Sequence, residues 1–139
     1  MYLQMKYIYI DTPTTPAYIK NSKNNKQLQL RVQSMTQNEL NILSNFKFLV
    51  SQKAKVHEIR IFGSRARGDA TEQSDMDVLV VVDRLDHAIE KHISDCAWEA
   101  GFAYDIVLVP VVVTTETLKN SPLRESAFVK NVYREGKAV

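Results

Sequence analysis

The run Val78-Leu79-Val80-Val81-Val82 constrains this chain more than any other segment. Four of its five residues are β-branched, which favours an extended backbone. The run does not alternate with polar residues, so the strand is expected to be covered on both faces, as the central strand of a sheet packed between other layers. Two carboxylates, Asp75 and Asp77, stand directly before it. Alternate residues of a strand share a face, which sets their Cβ atoms roughly 6.5–7 Å apart. Like charges at that spacing, beside an apolar run, repel each other, and a bound cation is the natural compensation.

The segments around this strand read as helices and strands in turn. Thr36-Gln37-Asn38-Glu39 spells a capping box that opens a helix, with Leu40, Leu43, Phe46 and Val50 as its apolar stripe and an end near Lys53 to Lys55. Val56 to Phe62 alternates as a strand, with Val56, Glu58, Arg60 and Phe62 on one face and His57, Ile59 and Ile61 on the other. Gly63-Ser64 ends that strand, and Ser64 is expected to cap a short helix before Gly68-Asp69 turns the chain. Asp83 to Gly101 reads as a helix with Asp86 as cap, Ile89, Ile93, Cys96, Ala97 and Ala100 buried, and Gly101 as its stop. Tyr104 to Val109 is the expected third strand; Pro110 to Val113 either continues it or forms a short neighbour. Ser121-Pro122 opens a last helix running to about Glu135, with Gly136 behind it. The order predicts a small α/β (α+β) domain, helices packed on a mixed β-sheet.

Composition limits what this domain can be. The 139 residues, 45% hydrophobic and 24% charged, suffice for one core. No apolar run is long enough to cross a membrane, the N-terminus does not read as a secretory signal, and the single Cys96 has no partner for a disulfide. A cytoplasmic protein is expected. The net charge of +2 is unevenly spread: residues 1–35 carry +4 and residues 36–139 carry −2. The folded part therefore lacks the broad basic face of a nucleic-acid binder. Residues 1–34, with a short strand at Tyr7–Ile10 and a polar, Pro-containing tract over 11–34, read as an N-terminal extension, linker or disordered, and residues 35–139 as the domain proper.

Three groups of residues point to phosphate chemistry. Asp75 and Asp77 supply carboxylates aimed at one place. Asp105, alone among apolar residues at the expected start of the third strand, is the candidate third ligand. Gly63 allows close backbone approach to a phosphate, and Ser64 brings a hydroxyl to a helix N-terminus, where free amides favour an anion. Arg65 and Arg67 lie in the same first turn, where a cation gains nothing from the helix dipole. That misfit is explained if Arg65, by preference, pairs with phosphate oxygens. For Arg67, phosphate contact and a solvated side chain are equally good readings.

The segment IFGSRARGDATEQSDMDVLVVVD resembles the signature of the minimal nucleotidyltransferases, within the DNA polymerase beta-like superfamily. That pattern is Gly-Ser, ten residues, then Asp-x-Asp, matched by Gly63-Ser64, Arg65 to Ser74, and Asp75-Met76-Asp77; Asp105 falls where the third carboxylate is expected. The ending SPLRESAFVKNVYREGKAV is also similar to the last helix of these proteins, so the resemblance spans residues 35–139. It implies two Mg²⁺ ions held by Asp75, Asp77 and Asp105, and ATP or another nucleoside triphosphate held by Gly63, Ser64 and Arg65. It further implies the setting of many such small proteins, antitoxins paired with a HEPN-domain ribonuclease toxin, some of which they silence by transferring AMP onto a tyrosine. A hydroxyl of a partner protein would then be the acceptor, in a homo- or hetero-oligomer. The alternative is a binding module that neutralises its partner by occlusion, without catalysis.

Overall fold

The structure is a computed structural model and describes residues 35–139; the strand expected at Tyr7–Ile10 and the linker over 11–34 lie outside the described residues. Helix α1 (Gln37–Ser51) opens on the capping box. The Thr36 hydroxyl accepts from the Glu39 amide at 3.2 Å, and Glu39 Oε2 accepts from the Thr36 amide at 2.9 Å. The helix stops at Ser51, short of the lysines expected to end it. Strand β1 (Val56–Phe62) follows with the expected bounds, and a register shift between Val56 and Glu58 marks a bulge at its start.

Helix α2 (Gly63–Arg67) leads to strand β2 (Met76–Val82), which is buried at every position except Asp77. Helix α3 (His87–Phe102) is capped by Asp86, whose carboxylate accepts from the Ile89 amide at 2.8 Å. The five residues expected on its inner side are all buried. Gly101 does not stop this helix; it lies inside, where a β-carbon would collide with the Ile106 carbonyl, so glycine there lets the chain fold back tightly. Strand β3 (Leu108–Thr114) comes next.

Helix α4 (Thr115–Asn120) was not foreseen, and the single helix expected over 121–135 is in fact two pieces. A 3₁₀ turn spans Pro122–Glu125, and helix α5 spans Ala127–Glu135. Ser126 divides them because its hydroxyl takes the Val129 amide at 3.2 Å, the bond of a fresh N-cap. A two-residue strand, β4 (Lys137–Ala138), closes the chain.

The sheet order is β3-β2-β1-β4. β1 runs antiparallel to β2 and β4, whereas β2 and β3 are parallel, so the sheet is mixed as expected. The parallel pair requires a crossover, and α3 supplies it. One face of the sheet, with Ile59, Ile61, Val78, Val80 and Val82, packs with Phe46, Ile42, Ile93 and Ala97 of α1 and α3. The other face buries Leu79, Val81 and Val113 with Val132 of α5, flanked by Leu118 and Leu123. β2 is thus the doubly covered central strand that its sequence predicts. Among the described residues no helix is long and apolar enough to cross a membrane.

Candidate active site

The site forms where β2 begins, on the sheet face that carries Leu79 and Val81. Asp77 shares that face by strand alternation, and it pairs across the ladder with Phe62. The chain leaves Phe62 through Gly63, whose φ of +71° lies in the left-handed region open to glycine. Glycine is needed here for a second reason. A β-carbon at Gly63 would stand 2.5 Å from Asp77 Oδ2, so the carboxylate occupies the space that the missing side chain leaves. Gly63 and Asp77, fourteen positions apart in the chain, form one local unit.

Asp75 lies just outside the strand and is exposed, whereas Asp77 is half-buried. Asp77's carboxyl is held above its ordinary value, first by burial and then by the negative charge of Asp75; the Arg67 guanidinium pulls the other way. The three charges therefore share one neighbourhood. Met76, between the two carboxylates, is fully buried and its amide donates to the Val107 carbonyl at 2.8 Å, which anchors the backbone from which both side chains project.

Ser64 follows Gly63 within α2 and does not cap it. The cap lies two residues earlier than expected, at Phe62, with no side-chain cap bond. Ser64 and Gly63 still belong to the first turn, whose amides have no acceptor within the helix.

The two arginines sit in different surroundings, Arg65 buried and Arg67 exposed. Arg65 is buried and turned away from the carboxylates. Its Nε and Nη2 donate to the Ser74 carbonyl at 3.0 and 2.6 Å, its Nη2 reaches the Glu72 carbonyl at 3.4 Å, and its Nη1 meets Glu39 Oε1 at 3.1 Å. A guanidinium engaged on all three nitrogens inside the protein does not reach a phosphate, so the preference for Arg65 over Arg67 is corrected. Arg67 is the exposed one, near Asp69 at 3.4 Å and Glu135 at 3.8 Å. Sequence reasoning missed the Glu39–Arg65 pair; the cation misplaced in a first helical turn was its only trace.

Asp105 also departs from expectation. α3 continues to Phe102, and Asp105 sits in the turn beyond it at φ +54°, an uncommon conformation for a residue other than glycine. β3 begins three residues later, and its register sets Val109, not Asp105, beside Asp77. Asp105 instead lines a groove with Trp98, Phe102, Val107 and Pro110 at the outer edge of the sheet. Among the described residues no three His, Cys, Asp or Glu side chains come together as a metal-holding group. The acidic cluster is the pair Asp75 and Asp77.

Residues 42–135 match the family model of the nucleotidyltransferase domain. Two proteins of Methanocaldococcus jannaschii, each named a putative protein adenylyltransferase, are similar to this chain. One is 36% identical over 89 residues, 62% of this chain and 89% of the relative; the other is 35% identical over 88 residues, 63% and 81%. Among solved structures, a toxin–antitoxin crystal structure with AMP-PNP is similar over 70% of this chain and 71% of that chain, at 26% identity and a TM-score of 0.48. A complex of a tri-AMPylated Shewanella oneidensis HEPN toxin with an MNT antitoxin is similar over 73% and 70%, at 24% identity and a TM-score of 0.43. With a carboxylate pair built against a glycine turn in a mixed sheet, and a family model matching 42–135, the chain belongs to the nucleotidyltransferase domain family.

Proposed function

We propose that the chain transfers AMP from ATP to a hydroxyl of a partner protein, with residues 35–139 as the catalytic domain and a HEPN-type ribonuclease toxin as the acceptor, in the cytoplasm. Membership of the family makes it a nucleotidyltransferase; the protein acceptor is supported by the two archaeal relatives named for protein adenylylation, and the toxin by the motif resemblance given above. The observation that carries the reading is Asp77 held in the space of Gly63's absent side chain, beside Asp75. A pure binding module has no use for a carboxylate packed that way.

The donor set fits Mg²⁺. Asp75 and Asp77 offer hard carboxylate oxygens, few in number, as suits an ion that keeps waters and takes substrate phosphates as its remaining ligands. Their mutual repulsion and the raised proton affinity of Asp77 are the costs that a dication would relieve. Asp75 and Asp77 would hold the Mg²⁺, which when bound would supply Lewis acidity and neutralise charge on the triphosphate. In the reaction a bond forms between the acceptor oxygen and the α-phosphorus, the bond from that phosphorus to the α–β bridging oxygen breaks, pyrophosphate leaves with the electron pair, and the hydroxyl proton passes to solvent. The protein's share is positioning and charge. Gly63 and Ser64 would bring backbone amides to the triphosphate, and Arg67, in place of Arg65, an exposed cation.

The test uses the chain, its co-encoded neighbouring protein, Mg²⁺ and α-labelled ATP. Label on the neighbour that disappears in Asp75→Asn and Asp77→Asn is the expected result. Neutralisation of the neighbour that survives both substitutions, with no label transferred, overturns the enzyme and leaves occlusion.

A further inference from the structure

We propose that Glu39 and Arg65 form an internal strut that positions Asp75 for metal and nucleotide binding, making them positioning residues of a site they do not touch. The inference rests on the reading of Asp75 and Asp77 as the metal carboxylates. Its basis is the direction in which Arg65 points. Two of its nitrogens converge on one atom, the carbonyl oxygen of Ser74, at 3.0 and 2.6 Å. That carbonyl belongs to the peptide plane that continues into the Asp75 amide. Fixing it fixes where the Asp75 side chain leaves the backbone.

Ser74 is gripped from its other side as well. Its hydroxyl accepts from the Thr71 amide at 2.9 Å, and its own amide donates to the Thr71 carbonyl at 3.1 Å. On the far side of Asp75, Met76 is anchored to Val107. Asp75 is exposed, with fixed residues on both flanks. An exposed carboxylate would otherwise sample many orientations, and each would have to be given up on binding.

The strut reaches across the domain. Glu39 Oε1 holds Arg65, while Glu39 Oε2 holds the Thr36 amide at the head of α1. One buried carboxylate thus serves both a helix cap and the guanidinium that orders the loop before Asp75. A buried ion pair is weak grounds for stability, because desolvation offsets much of the attraction. Orientation of functional groups through a hydrogen-bonded outer partner is a well-founded use, and loss of such partners lowers metal affinity by about 10–100-fold. Lysine cannot substitute, since a single ammonium lacks the fork that spans Ser74 and Glu39 together.

The experiment follows binding of a fluorescent ATP analogue by anisotropy as Mg²⁺ is raised, on the full chain, alongside thermal unfolding by circular dichroism. Arg65→Lys is expected to move the Mg²⁺ midpoint up by about tenfold or more. Glu39→Gln, whose amide oxygen still accepts from Arg65, moves it less in the same direction. The double variant moves it no further than Arg65→Lys alone. Variants that melt earlier but keep the wild-type midpoint overturn the strut and leave a structural ion pair. If Arg65→Lys does not fold, the Glu39→Gln midpoint decides alone. Asp75→Asn separates the strut from the site it serves. Wild-type binding that Asp75→Asn abolishes and the strut variants do not shift refutes the strut only; binding that ignores Mg²⁺ and Asp75→Asn alike refutes the site and the strut with it.

Discussion

Asp77 Oδ2 stands 2.5 Å from the point where Gly63 would carry a β-carbon. No side chain at 63 can share that space, and the φ of +71° adds roughly 1–2 kcal/mol of backbone strain for any L-residue. Gly63→Ala is therefore expected to displace the carboxylate and to lower nucleotidyl transfer by at least about a hundredfold, the scale of a misplaced catalytic group. Single-turnover transfer with α-labelled ATP, next to a melting curve showing a still-folded protein, checks it. Transfer at the wild-type rate would refute the pairing.

A second prediction concerns pH. Asp77's carboxyl lies above its ordinary value because of burial and Asp75, against Arg67. A carboxyl whose folded-state pKa exceeds its unfolded value holds its proton longer in the native state. Its contribution to stability is present below the unfolded value and is lost as pH rises through the folded one. Asparagine has no proton to lose. In EDTA, the Tm of Asp77→Asn minus that of wild type should grow as pH is raised from below the ordinary carboxylate range to above it. A difference that shrinks or stays level contradicts the assignment.

Arg67 and Arg65 should separate kinetically. Arg67 is exposed and acts on Asp77 through its charge. Arg67→Met is expected to raise KM for ATP about tenfold, the worth of one charge-assisted hydrogen bond, with a smaller change in kcat and little change in Tm. An unchanged KM would return Arg67 to the solvent-facing role.

Cys96 offers a check on the core. Burial, with Glu99 and Asp95 adding to it and Lys53 opposing, pushes its thiol up to about 11. At pH 8 the thiolate fraction is about a hundredfold below that of an ordinary cysteine. Disulfide-exchange reagents such as DTNB should fail to label the native protein over minutes and label it at once in denaturant. Rapid native labelling would mean that α3 does not seat as described.

Local signals in the sequence proved the most readable. Thr36 and Glu39 announce α1 because the capping bonds join residues three apart, and Asp86 announces α3 for the same reason. β1 and the double burial of β2 were likewise legible, since alternation and its absence report which faces are covered. The errors have a common cause in longer-range geometry. Tyr104 to Val109 reads as a strand, yet nothing local in that run announces that the Ile106 carbonyl lies close against Gly101 or that β3 begins only at Leu108. That shift removed Asp105 from the cluster. Arg65 reads outward because a cation in a first helical turn gains nothing from the dipole and so invites a phosphate; that Glu39's second carboxylate oxygen serves residue 65 instead depends on tertiary packing.

The tight fit of Asp77 against Gly63 also bears on how such a protein would lose its chemistry over evolutionary time. Decay through Gly63 costs stability, because the replacement must adopt a left-handed backbone and push a half-buried carboxylate aside. Decay through Asp75 costs the fold little, because that side chain is exposed and the backbone on either side is held by Ser74 and Met76. A descendant retired to a purely binding life would thus keep its glycine and shed its aspartates, a fossil turn with nothing left to cradle.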